Sequence, residues 1–170
     1  MEKRIYLLRH AEAEIGVSGA ADHSRPLSAF GVSQAQEVAQ YMQLHQYIPQ
    51  TVLCSDSYRT AQTCNAIVEA ISISEVTFLK SLYNASHETV VEEITALGED
   101  VNSVLVIGHN PGISKVVFDF NIAGCEGYDL MNFMATAKFV ALTVEALQWK
   151  QVLHAPIVDC QIFIPQQREA

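Results

Sequence analysis

Three short, mostly apolar runs, each cut off by a polar cluster, restrict the folds open to this chain more than any other feature. Arg4–Leu8 breaks into Arg9-His10, Thr51–Cys54 into Ser55-Asp56-Ser57, and Val104–Ile107 into Gly108-His109-Asn110-Pro111-Gly112. Such runs predict strands buried on both faces, as in a parallel sheet covered by helices. The stretches between them read as helices. Behind Ser28, a good N-cap residue, Val32, Ala35, Val38, Ala39 and Met42 recur at helical spacing, and Pro49 reads as the stop. A helix from about Tyr58 to Ala70 turns Ala61, Cys64, Ile67, Val68 and Ile71 inward. Glu75–Leu79 reads as a strand, Glu88–Leu97 as a helix with Val91, Ile94 and Leu97 inside, and Gly112–Phe120 as a further helix. Lys138–Glu145 and Trp149–His154 alternate about a short turn region, which predicts an antiparallel pair at one edge of the sheet. The expected fold is α/β: a three-layer sandwich with a mainly parallel central sheet, helices on both faces and antiparallel edge strands near the C-terminus. Residues 1–170 are expected to form a single domain.

Composition narrows the function. The net charge of −9 argues against sequence-independent nucleic-acid binding and against anionic membranes. Ile5–Leu8 is too short for a signal sequence or a membrane span, so the cytoplasm is the expected location. Cys54, Cys64, Cys125 and Cys160 have neither Cys-x-x-Cys nor zinc spacing and read as buried fillers. His87-Glu88 lacks the second histidine of a His-Glu-x-x-His helix, so neither metal nor cofactor is expected. Only ten Lys and Arg are present, so an anionic ligand requires several of them in one pocket.

Ligands of open α/β sheets bind beyond the carboxyl ends of the strands. That rule brings together Arg9, His10, Arg59 and His109, two arginines and two histidines. The set suits phosphate. A guanidinium offers a planar fork of donors to phosphate oxygens and stays charged. A neutral imidazole, with an ordinary pKa of about 6.5, is a nucleophile at neutral pH and can carry phosphorus covalently. Fixed donors then stabilise the charge that develops on the equatorial oxygens, and the start of the helix near Tyr58 adds a positive dipole end.

These residues resemble the motifs of the histidine phosphatase superfamily, the phosphoglycerate mutase-like group. Leu8-Arg9-His10-Ala11-Glu12 is similar to its Arg-His-Gly signature, with Ala11 where the wider family has Gly. Asp22-His23-Ser24-Arg25-Pro26-Leu27-Ser28 with Gly31, Val52–Ser55 with Arg59-Thr60 and Gln62-Thr63, and Val106–Gly112 follow in the family's order over roughly residues 4–120. The Asp–Arg-Pro-Leu-Ser loop and the small size are most similar to the SixA-type phosphohistidine phosphatases. The resemblance implies that His10 is the nucleophile, that Arg9, Arg59 and His109 bind the phosphoryl group, and that the loop of Asp22 and Arg25 borders the site. Asp22 has an alternative reading, in which it pairs with Arg25 or caps a turn.

Larger members of the family use a carboxylic acid to protonate the leaving oxygen. Here Glu12, Glu14, Asp22 and Glu88 are candidates and none is singled out. An imidazole leaves more readily than a sugar alkoxide, so a site without a dedicated acid favours P–N cleavage. No insertion is long enough to form a lid, which suits a side chain projecting from another protein. The expected substrate is therefore a histidine-phosphorylated protein, such as a histidine phosphotransfer domain, acted on by a monomer. A phosphatase of small phosphoesters or phospho-Ser/Thr, and a non-catalytic phosphate-binding docking module, are the competing readings. A mutase ranks below them. His23, His45, His87 and His154 read as surface residues, with the mouth of the pocket as the alternative for His23 and His87, and the tail Gln166–Ala170 reads as frayed.

Overall fold

The computed structural model describes residues 1–16, 18–128 and 134–168. Its strands are β1 (Glu2–Arg9), β2 (Thr51–Ser55), β3 (Glu75–Leu79), β4 (Ser103–Gly108), β5 (Phe139–Glu145) and β6 (Ile157–Phe163). Its helices are α1 (Ala29–Leu44), α2 (Tyr58–Ala70), α3 (His87–Thr95) and α4 (Gly112–Asp119). The strands form one sheet in the order β3-β2-β4-β1-β5-β6. The first four of these neighbours run parallel, and β5 and β6 close one edge antiparallel.

Alternation along the buried strands divides the interior into two cores. Ile5 and Leu7 of β1 face one core with Val104 and Val106 of β4, and are covered by Val90 and Ile94 of α3 and Ile113 and Val116 of α4. Tyr6 and Leu8 face the other with Leu105 and Ile107, and are covered by Ala35, Val38 and Met42 of α1 and Cys64 and Ile67 of α2. A sheet apolar on both faces and covered on both is the three-layer sandwich expected from runs without polar alternation.

Local chemistry sets the elements that reach the site. Ser28 Oγ accepts the Gly31 N–H at 2.9 Å, capping α1, and donates to Glu12 Oε1 at 2.6 Å. A Cβ at position 31 would run into the Glu12 carbonyl, so glycine lets α1 start against the segment that follows His10.

Several expectations need correction. The face of α1 is rotated: Val32 is exposed, and Gly31 and Gln34 are buried with Ala35, Val38, Ala39 and Met42. The helix also ends before Pro49. Gln46 takes a left-handed conformation (φ 56°), while the N–H groups of Gln46 and Tyr47 return to the Gln43 and Met42 carbonyls, a Schellman closure built on glutamine rather than glycine. On α2 it is Arg59, Thr60 and Thr63 that are buried with Cys64 and Ile67, and Ala61 and Val68 are only partly covered. Trp149–His154 is a 3₁₀ turn, and the antiparallel partner of β5 is Ile157–Phe163. Three residues per turn put Trp149 and Val152 on one side, where both are buried.

Cys54 and Cys64 are free and buried, as fillers should be, but Cys125 and Cys160 form a disulfide. The tail is anchored rather than frayed through Arg168. Gln34 Nε2 donates to the Gln166 carbonyl at 2.9 Å, and Arg168 Nε donates to both carboxylate oxygens of Glu12 at 3.1 and 2.9 Å. Residues 169 and 170 lie outside the described residues. No described helix is long and apolar enough to cross a membrane.

Candidate active site

The central strands β2, β4 and β1 end at the same edge of the sheet, with Arg9 opposite Gly108 and Cys54 opposite Ile107. Register alone therefore places the residues that follow each strand beside one another. His10 is fixed by its backbone N–H, which donates to the Gly108 carbonyl at 3.1 Å. Its Nδ1 lies 2.7 Å from the Ala11 carbonyl. A carbonyl can only accept, so Nδ1 bears the proton and Nε2 keeps its lone pair. Burial lowers the His10 pKa to about 3 against the help of the Ala11 hydrogen bond, with His109, Arg9 and Arg59 lowering it further.

The His109 ring lies 5.2 Å from that of His10, centroid to centroid. Arg59 Nη2 approaches His109 Nδ1 at 3.4 Å, and a guanidinium can only donate, so the His109 proton sits on Nε2 and points to Ser55 Oγ at 2.8 Å. Burial, and then Arg59, lower the His109 pKa to about 4. Both imidazoles are neutral at physiological pH.

Arg59 stands in the first turn of α2 but is 4% exposed, unlike most arginines there. Its Nη1 donates to the Asp22 carbonyl at 2.8 Å and its Nη2 to Asp22 Oδ2 at 3.0 Å. Arg9 Nη1 donates to the Met134 carbonyl at 2.9 Å, while its buried Nε has no hydrogen-bond partner among the described residues. A buried and a half-buried guanidinium beside two neutral imidazoles make a site suited to an anion.

Asp22 pairs with Arg25, as one of its two sequence readings had it, and it also meets Arg59. Its Oδ1 pairs with Arg25 Nη1 at 2.8 Å, and its Oδ2 takes Arg59 and the Tyr83 hydroxyl, the latter at 2.6 Å. Tyr83, Arg25 and Arg59 hold its carboxyl well below the usual range, so it is ionised. Arg25 meets the cluster through Asp22 and also holds the Glu14 carbonyl at 2.9 Å. The other carboxylates lie elsewhere: Glu12 is held by Ser28 and Arg168, Glu14 is exposed, and Glu88 pairs with His87. His23 lies at the mouth, its Nε2 2.9 Å from Asp56 Oδ1 and its ring 4.9 Å from that of Tyr83.

Sequence reasoning missed Tyr83, the role of Ser55 as partner of His109, and the Met134 carbonyl under Arg9. Tyr83 was findable, because it follows the end of β3, a fourth parallel strand, just as the other site residues follow theirs. Among the described residues no group of His, Cys, Asp or Glu is placed to hold a metal ion.

Comparison with known proteins gives a consistent set of relatives. The model of the histidine phosphatase superfamily (branch 1) matches residues 5–90. SixA of Agrobacterium tumefaciens shares 27% identity and superposes with a TM-score of 0.78, covering 94% of this chain and 97% of that one. SixA of Nakamurella multipartitia gives the same identity and TM-score, covering 97% of both chains. An uncharacterized protein of Mycobacterium tuberculosis is 33% identical over 109 residues, 64% of this chain and 66% of its own length.

Proposed function

The chain belongs to the histidine phosphatase superfamily (branch 1), in its SixA-type group, and from that membership and the site geometry we infer that it is a phosphatase acting on histidine-phosphorylated proteins. In this reading His10 Nε2 attacks phosphorus while the bond from phosphorus to the leaving nitrogen breaks, leaving the phosphoryl group on His10 until water takes it. Arg9, Arg59 and His109 surround His10 and are assigned to the phosphoryl oxygens, whose charge grows in the transition state. Asp22 and Arg25 form the bordering loop.

One observation supports P–N over P–O cleavage more than any other. Among the described residues, the carboxylate hydrogen-bonded to this cluster is Asp22, and its neighbours hold it ionised. It has no proton to give. An alkoxide needs one in the transition state, whereas a phosphohistidine ring that carries a proton on its other nitrogen expels neutral imidazole, whose conjugate acid has a pKa of about 6.5, without an acid from the enzyme. A histidine phosphotransfer domain presents such a leaving group on a protein surface.

The deciding experiment compares rates on a histidine-phosphorylated phosphotransfer domain and on a panel of sugar phosphates, with His10→Ala as control. The phosphoprotein is expected to turn over faster, and His10→Ala to abolish turnover with the fold intact. Faster turnover of a sugar phosphate would keep the His10 chemistry and move the substrate to small phosphoesters. Undiminished turnover by His10→Ala would overturn the mechanism.

A further inference from the structure

Arg59, assigned above to the phosphoryl group, is already engaged by an anion of the protein's own. Its Nη1 and Nη2 both donate to Asp22, one to the carbonyl at 2.8 Å and one to Oδ2 at 3.0 Å. Tyr83 braces that carboxylate, since its hydroxyl donates to the same Oδ2 at 2.6 Å while its ring packs against the site, 5.4 Å from His109 and 5.8 Å from the Arg59 guanidinium carbon. The two partners differ in exposure: the side chain of Arg59 is 5% exposed and that of Asp22 46%, on a 3₁₀ turn (Asp22–Ser24) at the rim. The fork thus meets one backbone carbonyl and one carboxylate oxygen, and the carboxylate oxygen offers Nη2 the kind of anionic acceptor that a phosphoryl group would. Nη2 has two N–H groups, but two anions drawn to one nitrogen repel each other, so the Asp22 carboxylate and an incoming phosphoryl group compete for it.

Resting on the phosphatase reading, we propose that Asp22, braced by Tyr83, is an internal stand-in for phosphate at Arg59. It holds the guanidinium in place between turnovers, yields Nη2 to the incoming phosphoryl group, and takes Nη2 back as inorganic phosphate leaves. Asp22 is thereby a positioning residue that also keeps product from lingering. The buried fork stays where it is; only the exposed carboxylate gives way.

The probe is inorganic phosphate, measured by calorimetric titration and as a competitive inhibitor, with wild type, Asp22→Asn and Tyr83→Phe. Asp22→Asn is expected to bind phosphate about three- to tenfold more tightly, the scale of removing one partly exposed charge, and to show a lower kcat. Tyr83→Phe keeps the carboxylate but removes its brace, so phosphate affinity should rise by less. A purely structural role for either residue predicts the opposite, weaker binding through a misplaced Arg59. Unchanged or weaker phosphate binding in both variants, with phosphohistidine turnover intact in wild type, overturns the stand-in alone. Folded wild type and variants that all fail to bind phosphate overturn it together with the phosphatase reading. Should Asp22→Asn not fold, Tyr83→Phe decides by the same criterion.

Discussion

At His10, burial opposes the charged imidazole more strongly than the Ala11 carbonyl favours it, and His109, Arg9 and Arg59 add to the opposition. The consequence reaches stability. With the folded pKa at about 3 and the unfolded value at about 6.5, the unfolded chain binds more protons throughout the interval between them. Stability therefore rises with pH across this window and is lost as pH falls below about 6.5. His109, at about 4, acts in the same sense. Asp22, with its pKa lowered, contributes stability above the ordinary carboxylate range and loses it only in stronger acid. Urea unfolding at about pH 7 and about pH 5 should differ by about 2 kcal/mol for each buried histidine, and His10→Gln should remove roughly half of the difference. An equal pH dependence in the variant would mean that His10 is not buried neutral. Catalysis gives a second test at this scale. Arg59→Ala and His109→Ala should each cut kcat by about 10²–10³, the scale of one preorganised donor. Ser55→Ala, which releases His109 Nε2 and a long 3.5 Å contact from the Ser57 N–H, should cost about tenfold, the equivalent of one hydrogen bond. A larger loss in Ser55→Ala than in His109→Ala would reverse the assigned roles.

Among the elements, the parallel strands and the helices between them were legible because their pattern is local: apolar runs end where the polar site residues begin. The juxtaposition of Arg9, His10, Arg59 and His109 was legible for the same reason, since residues that follow neighbouring parallel strands must meet. What escaped was set by tertiary contact. Trp149–His154 alternates well enough to resemble a strand, yet Trp149 is fully buried with Nε1 donating to the Gly98 and Val101 carbonyls at 3.2 and 3.0 Å. The same corner buries Lys3, whose Nζ reaches the Val101 carbonyl at 2.7 Å and lies 5.0 Å from the Trp149 ring. No alternation in residues 149–154 could announce partners that lie some fifty positions away, as in the Trp149–Gly98 and Trp149–Val101 hydrogen bonds. Likewise, the disulfide and the Tyr83–Asp22 contact join residues far apart in sequence. Since Trp149 is the largest side chain that this 3₁₀ turn buries and its indole makes two hydrogen bonds, Trp149→Ala should lower the unfolding free energy by about 3–5 kcal/mol. Denaturant titration measures this, and a loss below about 1 kcal/mol would show that the corner closes without the indole.

For the molecule as a whole, the feature that composition concealed is the bond between Cys125, beyond α4, and Cys160, in the edge strand β6. It closes a loop of 35 positions that includes the return of the chain to the site. There the Met134 carbonyl accepts from Arg9 Nη1 and from Asn110 Nδ2, and the Lys138 carbonyl accepts the Arg9 N–H. A cross-link over such a loop restricts the unfolded chain and is worth about 2–4 kcal/mol. It also bears on the expected cytoplasmic location, because that compartment keeps most thiols reduced. Thiol titration in denaturant separates the cases. Without reductant only Cys54 and Cys64 should react, and after reduction all four cysteines should. The double variant Cys125→Ser/Cys160→Ser should unfold at lower urea, losing about 2–4 kcal/mol, and reductant should then have no further effect. Four reactive thiols in protein trapped directly from cells, against two after purification, would mean that the bond forms only outside the reducing interior. The stability measured in reductant would then be the one that operates in the cell.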